Sequence, residues 1–341
     1  MAGIIGYGVY IPRYRIEQKE TQIPWSSWAG GEKAVCGADE DVVTMAAEAT
    51  ENAIKHAAID PAQIDTIYLG TASSPYIEGH LLSPIFAEIL GLPPEVRAVD
   101  YSGSLNALAM ALLGCLDAIE AKNTKCGLVI GTENRMTAPG TESDASSGAG
   151  AVTMVIGTED TIADFEAVHT YSTLFIDRWE AAQDGWVSNY FDYRFDREYG
   201  YKKHITGASK GLMQKVDKKG QDFTYVVFQQ PDDRSPNLPT KELGIQAEQL
   251  APSIASTLGD LGSCSAFVSL AGVLDKAKPG ERILLATYGS GGSNAMSITV
   301  NKAIDKKRKR IVPLEKYAAQ KDYITYVSYL KLREMIKRAP Y

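Results

Sequence analysis

Most of what this sequence can fold into is set by an offset. A strand-like run at 66–70 leads into small polar residues at 71–76, then a helix-patterned stretch over about 82–90 and a second strand-like run at 96–101. The triplet SGS at 102–104 follows, then a long apolar helix over about 105–121 and a strand at 127–131. The same order returns later: a helix over about 206–216, a strand at 225–228, QQPD at 229–232, a further helix, SCS at 263–265, an apolar helix through Leu274 and a strand at 282–286. Gln229 follows Ala72 by 157 residues, Cys264 follows Gly103 by 161, and Gly289 follows Gly131 by 158. A nearly constant offset across α/β punctuation predicts one βαβαβ half duplicated and fused.

The length of 341 residues is near the size at which one core divides, which agrees with two halves. Apolar residues make up 45% and charged residues 23%, which excludes a disordered or fibrous chain. The net charge of −7 disfavours nucleic acid or an anionic membrane as main partner, but leaves room for a local basic site. Cys36, Cys115, Cys126 and Cys264 form no C-x-x-C pair, and His56, His80, His169 and His204 show no ligand spacing. No disulfide framework and no metal site are expected, and a reducing, cytoplasmic setting follows. The apolar opening at 3–12 is short, lacks a basic start and closes on Pro12, so it reads as a strand rather than a signal peptide. No apolar run reaches the roughly 18 residues of a membrane span.

Val42, Met45, Ala46, Ala49, Ala53 and Ala57 carry the spacing of a helix over 41–58 buried on one face. The expected units are 1–162, an aromatic-rich excursion or covering region at 163–205, and 206–341. The excursion crowds Trp179, Trp186, Tyr190, Phe191, Tyr193, Phe195, Tyr199 and Tyr201 among charges. Without regular spacing, these rings are read as packing on the body or on a partner in preference to covering a ligand tunnel. The basic run at 306–310 reads as a solvated turn, with a CoA phosphate contact as the weaker reading.

Fused halves of this kind place two central helices back to back, with 102–104 and 263–265 at their starts and deep in the structure. A cysteine at such a start is a good thioester nucleophile, because the helix dipole and free amides stabilise its thiolate. A condensation also needs a His or Glu acid/base and an oxyanion pocket.

The residues GYGVYIP at 6–12, DED at 39–41, YLGT at 68–71 with PY at 75–76, and SSGAGA at 146–151 resemble the thiolase-like condensing enzymes. KGLM at 210–213, VFQQP at 227–231, VLDKAKPG at 273–280, YGSGGS at 288–293 and YITYVSY at 323–329 extend the resemblance over nearly the whole chain. Within that superfamily the sequence is most similar to the short 3-hydroxy-3-methylglutaryl-CoA synthases of archaea and bacteria. The resemblance implies a thiolase-like α/β fold in an α-β-α-β-α layering. It also implies that the family's acylated cysteine falls at Gly103, its acid/base glutamate at Ala72, its histidine at Gln229, and its oxyanion-holding asparagine at Asp260. All four are replaced, and an ionised Asp260 is expected to repel developing negative charge.

Ser102 and Ser104 are the weak replacement nucleophiles, since no matched histidine stands beside them. Cys264 reads as a small core residue. FQQ at 228–230, Gly103 and the pair Gly259 and Asp260 also resemble the synthase-like subunit of the bacterial phloroglucinol acetyltransferase complex. That resemblance implies a catalytically silent subunit, with an active thiolase-like partner holding the cysteine, a small OB-fold protein of zinc-ribbon type bridging them, and a homodimer inside the larger assembly as a further expectation. No covalently bound cofactor is expected, and a CoA thioester would be the substrate of the complex. The alternatives are a self-sufficient synthase-like condensing enzyme or thioester hydrolase using Ser102 or Ser104, and a CoA-ester binding protein without turnover.

Overall fold

The computed structural model describes residues 2–22, 30–76, 80–181, 185–189 and 192–336. Tyr190 and Phe191 of the aromatic stretch lie outside them. Nine strands form the central sheet: β1 (Gly3–Tyr10), β2 (Thr66–Gly70), β3 (Arg97–Tyr101), β4 (Cys126–Asn134), β5 (Ala149–Gly157), β6 (Ala163–Ser172), β7 (Tyr225–Phe228), β8 (Arg282–Gly289) and β9 (Gly292–Val300). Their order is β7-β8-β9-β6-β1-β5-β4-β2-β3. The pseudo-repeat is visible in it. Strand β2 lies parallel to β4, and β7 lies parallel to β8. In both halves the outer strands are followed by an antiparallel pair, β4 with β5 and β8 with β9. The halves meet where β1 pairs with β6 at Gly3 and Ile4. Strand β3 has a reduced counterpart, a single parallel bridge between Val226 and Leu250.

The βαβ alternation read from the sequence is present in each half, within a sheet that is mixed. Strands β8 and β9 are joined by a tight hairpin in which they pair as far as Gly289 and Gly292, so no helix crosses over there. The runs at 149–157 and 292–300 open on small residues and continue into β-branched ones, and both pair along their length as strands.

Four helices complete the layers: α1 (Val42–Ala57), α2 (Ala107–Glu120), α3 (Lys203–Lys215) and α4 (Ser265–Leu274). Helix α1 starts where the Asp41 side chain accepts from the Val43 and Thr44 amides while Thr44 Oγ1 accepts from the Asp41 amide, and it ends at Ala58 in a left-handed conformation. Its buried Met45, Ala49 and Ala53 pack with Ile67, Leu69 and Leu128 on the outer side of the first half. Helix α3 does the same for the second half through Ile205, Ala208 and Leu212. Helices α2 and α4 are apolar almost all round and share one core with both halves, including Leu108, Leu112, Phe267 and Leu270. Burying each such side chain contributes about 1.5–3 kcal/mol. The layering is therefore α-β-α-β-α.

Two expectations about the periphery change. Strand β6 belongs to the central sheet, so the excursion proper begins after Ser172. The basic run is not a solvated turn throughout: Lys307 is buried, and its ammonium donates to the carbonyls of Ile5 and Asp160 and pairs with the Asp160 carboxylate. The C-terminal segment folds back onto the body. Asp322–Tyr323 pairs with Tyr14–Glu17, and the hydroxyls of Tyr326 and Tyr329 both donate to buried Asp144.

Candidate active site

Strand β2 delivers the chain to Thr71, Ala72 and Ser73 beside the end of β4. Thr71 Oγ1 donates to the Thr132 carbonyl and accepts from the Ser73 amide, which turns the backbone back towards β4. The Ala72 amide then donates to Glu133 Oε1 at 2.8 Å. Glu133 is fully buried and also accepts from the Ser73 hydroxyl and from the amide and hydroxyl of Ser263. One carboxyl thus ties the end of the first half's inner strand to the start of α4. Burial pushes its pKa up, against the opposing pull of Arg135 and the two serines. The side chain fits because residue 262 is glycine: a Cβ there would lie 2.9 Å from the Glu133 carboxyl carbon, and φ is +57°. Glu133 is absent from the residues singled out in the sequence. Its signal is a charged residue near the end of an otherwise apolar strand.

Asp260 is buried, as its position before α4 requires, but it is not an isolated negative charge. Arg135 Nη2 and Arg178 Nη1 each lie 2.8 Å from its Oδ2, and the Gly262 amide donates to its Oδ1. Burial alone would raise its pKa; the two guanidiniums outweigh that and hold it below the usual range. The expected repulsion of developing negative charge is therefore corrected: the carboxylate is ionised, and two arginines surround it. Arg135 and Arg178 are a further gap in the sequence reading, since Arg178 arrives from the aromatic excursion 82 residues earlier.

Gln229 follows β7 and is buried. Its Nε2 donates to the Gly262 carbonyl at 2.6 Å, its own carbonyl accepts from Tyr201 Oη, and its Oε1 has no partner among the described residues. Gln229, Asp260 and Arg178 line one cavity of about 120 Å3. Tyr193, Asp196 and Tyr201 line it too, so the excursion supplies a large part of the wall. Of the eight rings only Tyr193 and Tyr201 stand among the described lining residues, while Trp179, Phe195 and Tyr199 are exposed.

The starts of the two central helices differ from expectation. Ser102 and Gly103 are exposed and Ser104 is half-buried, while Ser263, Cys264 and Ser265 are buried. Gly103 has φ +80° with open space where a Cβ would stand, and it does not line the cavity, although Leu105 does. Ser104 Oγ accepts from the Asn106 amide, and neither Ser102 nor Ser104 has a carboxylate or imidazole partner among the described hydrogen bonds. Cys264 is enclosed, and burial, reinforced by Glu133, drives its thiol well above the usual range, as a core residue would have it.

No cysteine and no histidine stands among the described lining residues. His56 is held by the Tyr7 backbone and pushed down to about 4 by burial, and His204 bonds Thr173 and the Gly200 carbonyl. Among the described residues no group of three or more His, Cys, Asp or Glu is placed to hold a metal, and no helix is long and apolar enough to cross a membrane.

Residues 213–300 match the 3-oxoacyl-[acyl-carrier-protein (ACP)] synthase III C-terminal family. The hydroxymethylglutaryl-CoA synthase of Pyrobaculum arsenaticum is 38% identical, over 98% of each chain. That of Methanocaldococcus jannaschii is 36% identical, over 99% of this chain and all of its own. The chain belongs to the hydroxymethylglutaryl-CoA synthase family. Among solved structures, MvaS in complex with 3-hydroxy-3-methylglutaryl coenzyme A superposes with a TM-score of 0.87 at 18% identity, covering 100% of this chain and 93% of that one. The 3-oxoacyl-[acyl-carrier-protein] synthase III of Aquifex aeolicus gives 0.78 at 20% identity, covering 88% and 100%. These two likenesses establish the thiolase-like fold.

Proposed function

We infer that this protein works in acyl-thioester chemistry of the kind named for its relatives, and that it does so without an acylated thiol of its own. The observation that carries the reading is the cavity wall, which among the described residues has neither cysteine nor histidine. A thioester carbonyl entering there meets no thiol and no imidazole among the described lining residues; the Ser235 hydroxyl on the same wall donates to the Asp232 carboxylate. In this reading the chain orders an active thiolase-like partner, with a small OB-fold protein between them. Those partners rest on the resemblance alone; the curated relatives carry the name hydroxymethylglutaryl-CoA synthase.

The full-length similarity to those synthases favours a second reading, a self-sufficient condensing enzyme or thioester hydrolase acylated on Ser102 or Ser104. The two separate in one experiment: purified chain is incubated with acetyl-CoA and weighed as intact protein. No mass gain is expected, and an acetyl adduct on either serine establishes the second reading. Retention of CoA in a titration without any adduct identifies the third alternative, thioester binding without turnover. Gly103→Cys by itself is expected to give no condensation, because the carboxyl and imidazole are still missing; turnover from that single change overturns the first reading.

A further inference from the structure

The C-terminal segment reaches the cavity wall from behind, by two routes. Of residues 320–336 only Tyr326 and Tyr329 are buried, and they form a satellite cluster with Ile16 and Val35, apart from the shared core. Both hydroxyls donate to the Asp144 carboxylate, Tyr326 to Oδ2 at 2.7 Å and Tyr329 to Oδ1 at 3.0 Å. Asp144 lies in the short helix Glu142–Ser146, whose residues 142, 143 and 146 line the cavity. At helical spacing those three share a face, and 144 falls on another. The end of this helix is tied to Asp260 on the same wall: the Asp260 amide donates to the Ser146 carbonyl at 2.7 Å, and the Gly148 amide to the Asp260 carbonyl at 3.0 Å. The second route is Arg333, whose guanidinium donates to Asn134 Oδ1 and to the Arg135 carbonyl. Arg135 in turn pairs with Asp260 Oδ2 at 2.8 Å. Both routes end on one residue of the wall.

The seat of the segment is largely polar. Lys33, fully buried like Asp144, lies 3.6 Å from its Oδ1, and its ammonium donates to the Asp144 carbonyl and to Tyr329 Oη. The Tyr329 ring centre is 4.2 Å from the same ammonium. Lifting the tyrosines off lets water reach both charges, which returns part of the desolvation cost that a buried ion pair carries. A segment with two buried side chains on a polar seat opens at a lower free energy than the core does. We propose that the C-terminal segment is a latch on the cavity: docked, it holds the 142–146 helix and Asp260 in place, and released, it frees that wall and opens the cavity. The latch rests on contacts behind the wall, so it stands under any of the functional readings above.

The test is labelling of the full chain carrying Ser143→Cys with iodoacetamide, read by peptide mass. Residue 143 is buried and lines the cavity, so the introduced thiol is reached freely only when that wall opens. Cys115 and Cys264, fully buried in the shared core, report opening of the whole molecule in the same sample. Tyr326→Phe combined with Tyr329→Phe keeps both rings and removes both donors to Asp144. Labelling at 143 is expected to rise about tenfold or more in that variant, with Cys115 and Cys264 unchanged. Arg333→Met releases the second route and is expected to raise labelling at 143 by about threefold or more. Arg333 is half-buried near the chain end, so its variant carries the test if the paired tyrosine variant fails to fold. An unchanged rate at 143, or a rise that Cys115 and Cys264 share, overturns the proposal.

Discussion

The starts of the two central helices are equivalent by sequence offset and opposite in character. At 263–265 every residue is buried, and the backbone and hydroxyl of Ser263 are bound to Glu133 from the other half. At 102–104 the chain is partly open to solvent, Gly103 stands at φ +80° with space around it, and the flanking serines have no carboxylate or imidazole partner among the described hydrogen bonds. The two starts share a pattern in the sequence, and the fold packs one of them into the structure and leaves the other partly open. The carboxyl that braces the buried start also accepts from the Ala72 amide, so one side chain joins the loop after β2 to that start.

The largest test of that contrast is Asp260→Asn, which restores the residue type that the family resemblance assigns there. Arg135, nearly fully buried, would lose its partner charge, and a loss of about 3 kcal/mol is expected in urea unfolding. A neutral outcome would mean that the arginines did not arrive as a set with the aspartate. Next comes Glu133→Ala, expected to cost about 2–3 kcal/mol by leaving the Ser263 and Ala72 donors unpaired. The charge on Glu133 is tested by comparing wild type with Glu133→Gln across pH. A folded-state pKa above the ordinary value adds stability that is complete below about pH 4 and lost as pH rises through the folded value. Wild type should therefore lose stability relative to the variant as pH rises above about 4, and a constant gap would place the carboxyl in the ordinary range. On the open side the effects shrink. Gly103→Ala should cost about 1 kcal/mol, from its positive φ alone, and Ser102→Ala should stay within about 0.5 kcal/mol.

What the sequence determined by itself is whatever depends on residues near one another in the chain. The apolar spacing of 41–58 and the strand-like runs at 66–70 and 225–228 match α1, β2 and β7, because helix and strand periods are local. The repeat offset determined the paired halves. The tertiary structure decided the rest. The Glu133 brace spans 130 residues to Ser263, the Asp260 pair reaches 125 residues to Arg135 and 82 to Arg178, and no local pattern encodes such meetings. The same holds for the excursion: its rings have no period, yet folding brings Tyr193 and Tyr201 to the wall that carries Gln229. Whether a residue at a helix start is buried depends on what packs over it, and Gly103 and Cys264 received different neighbours.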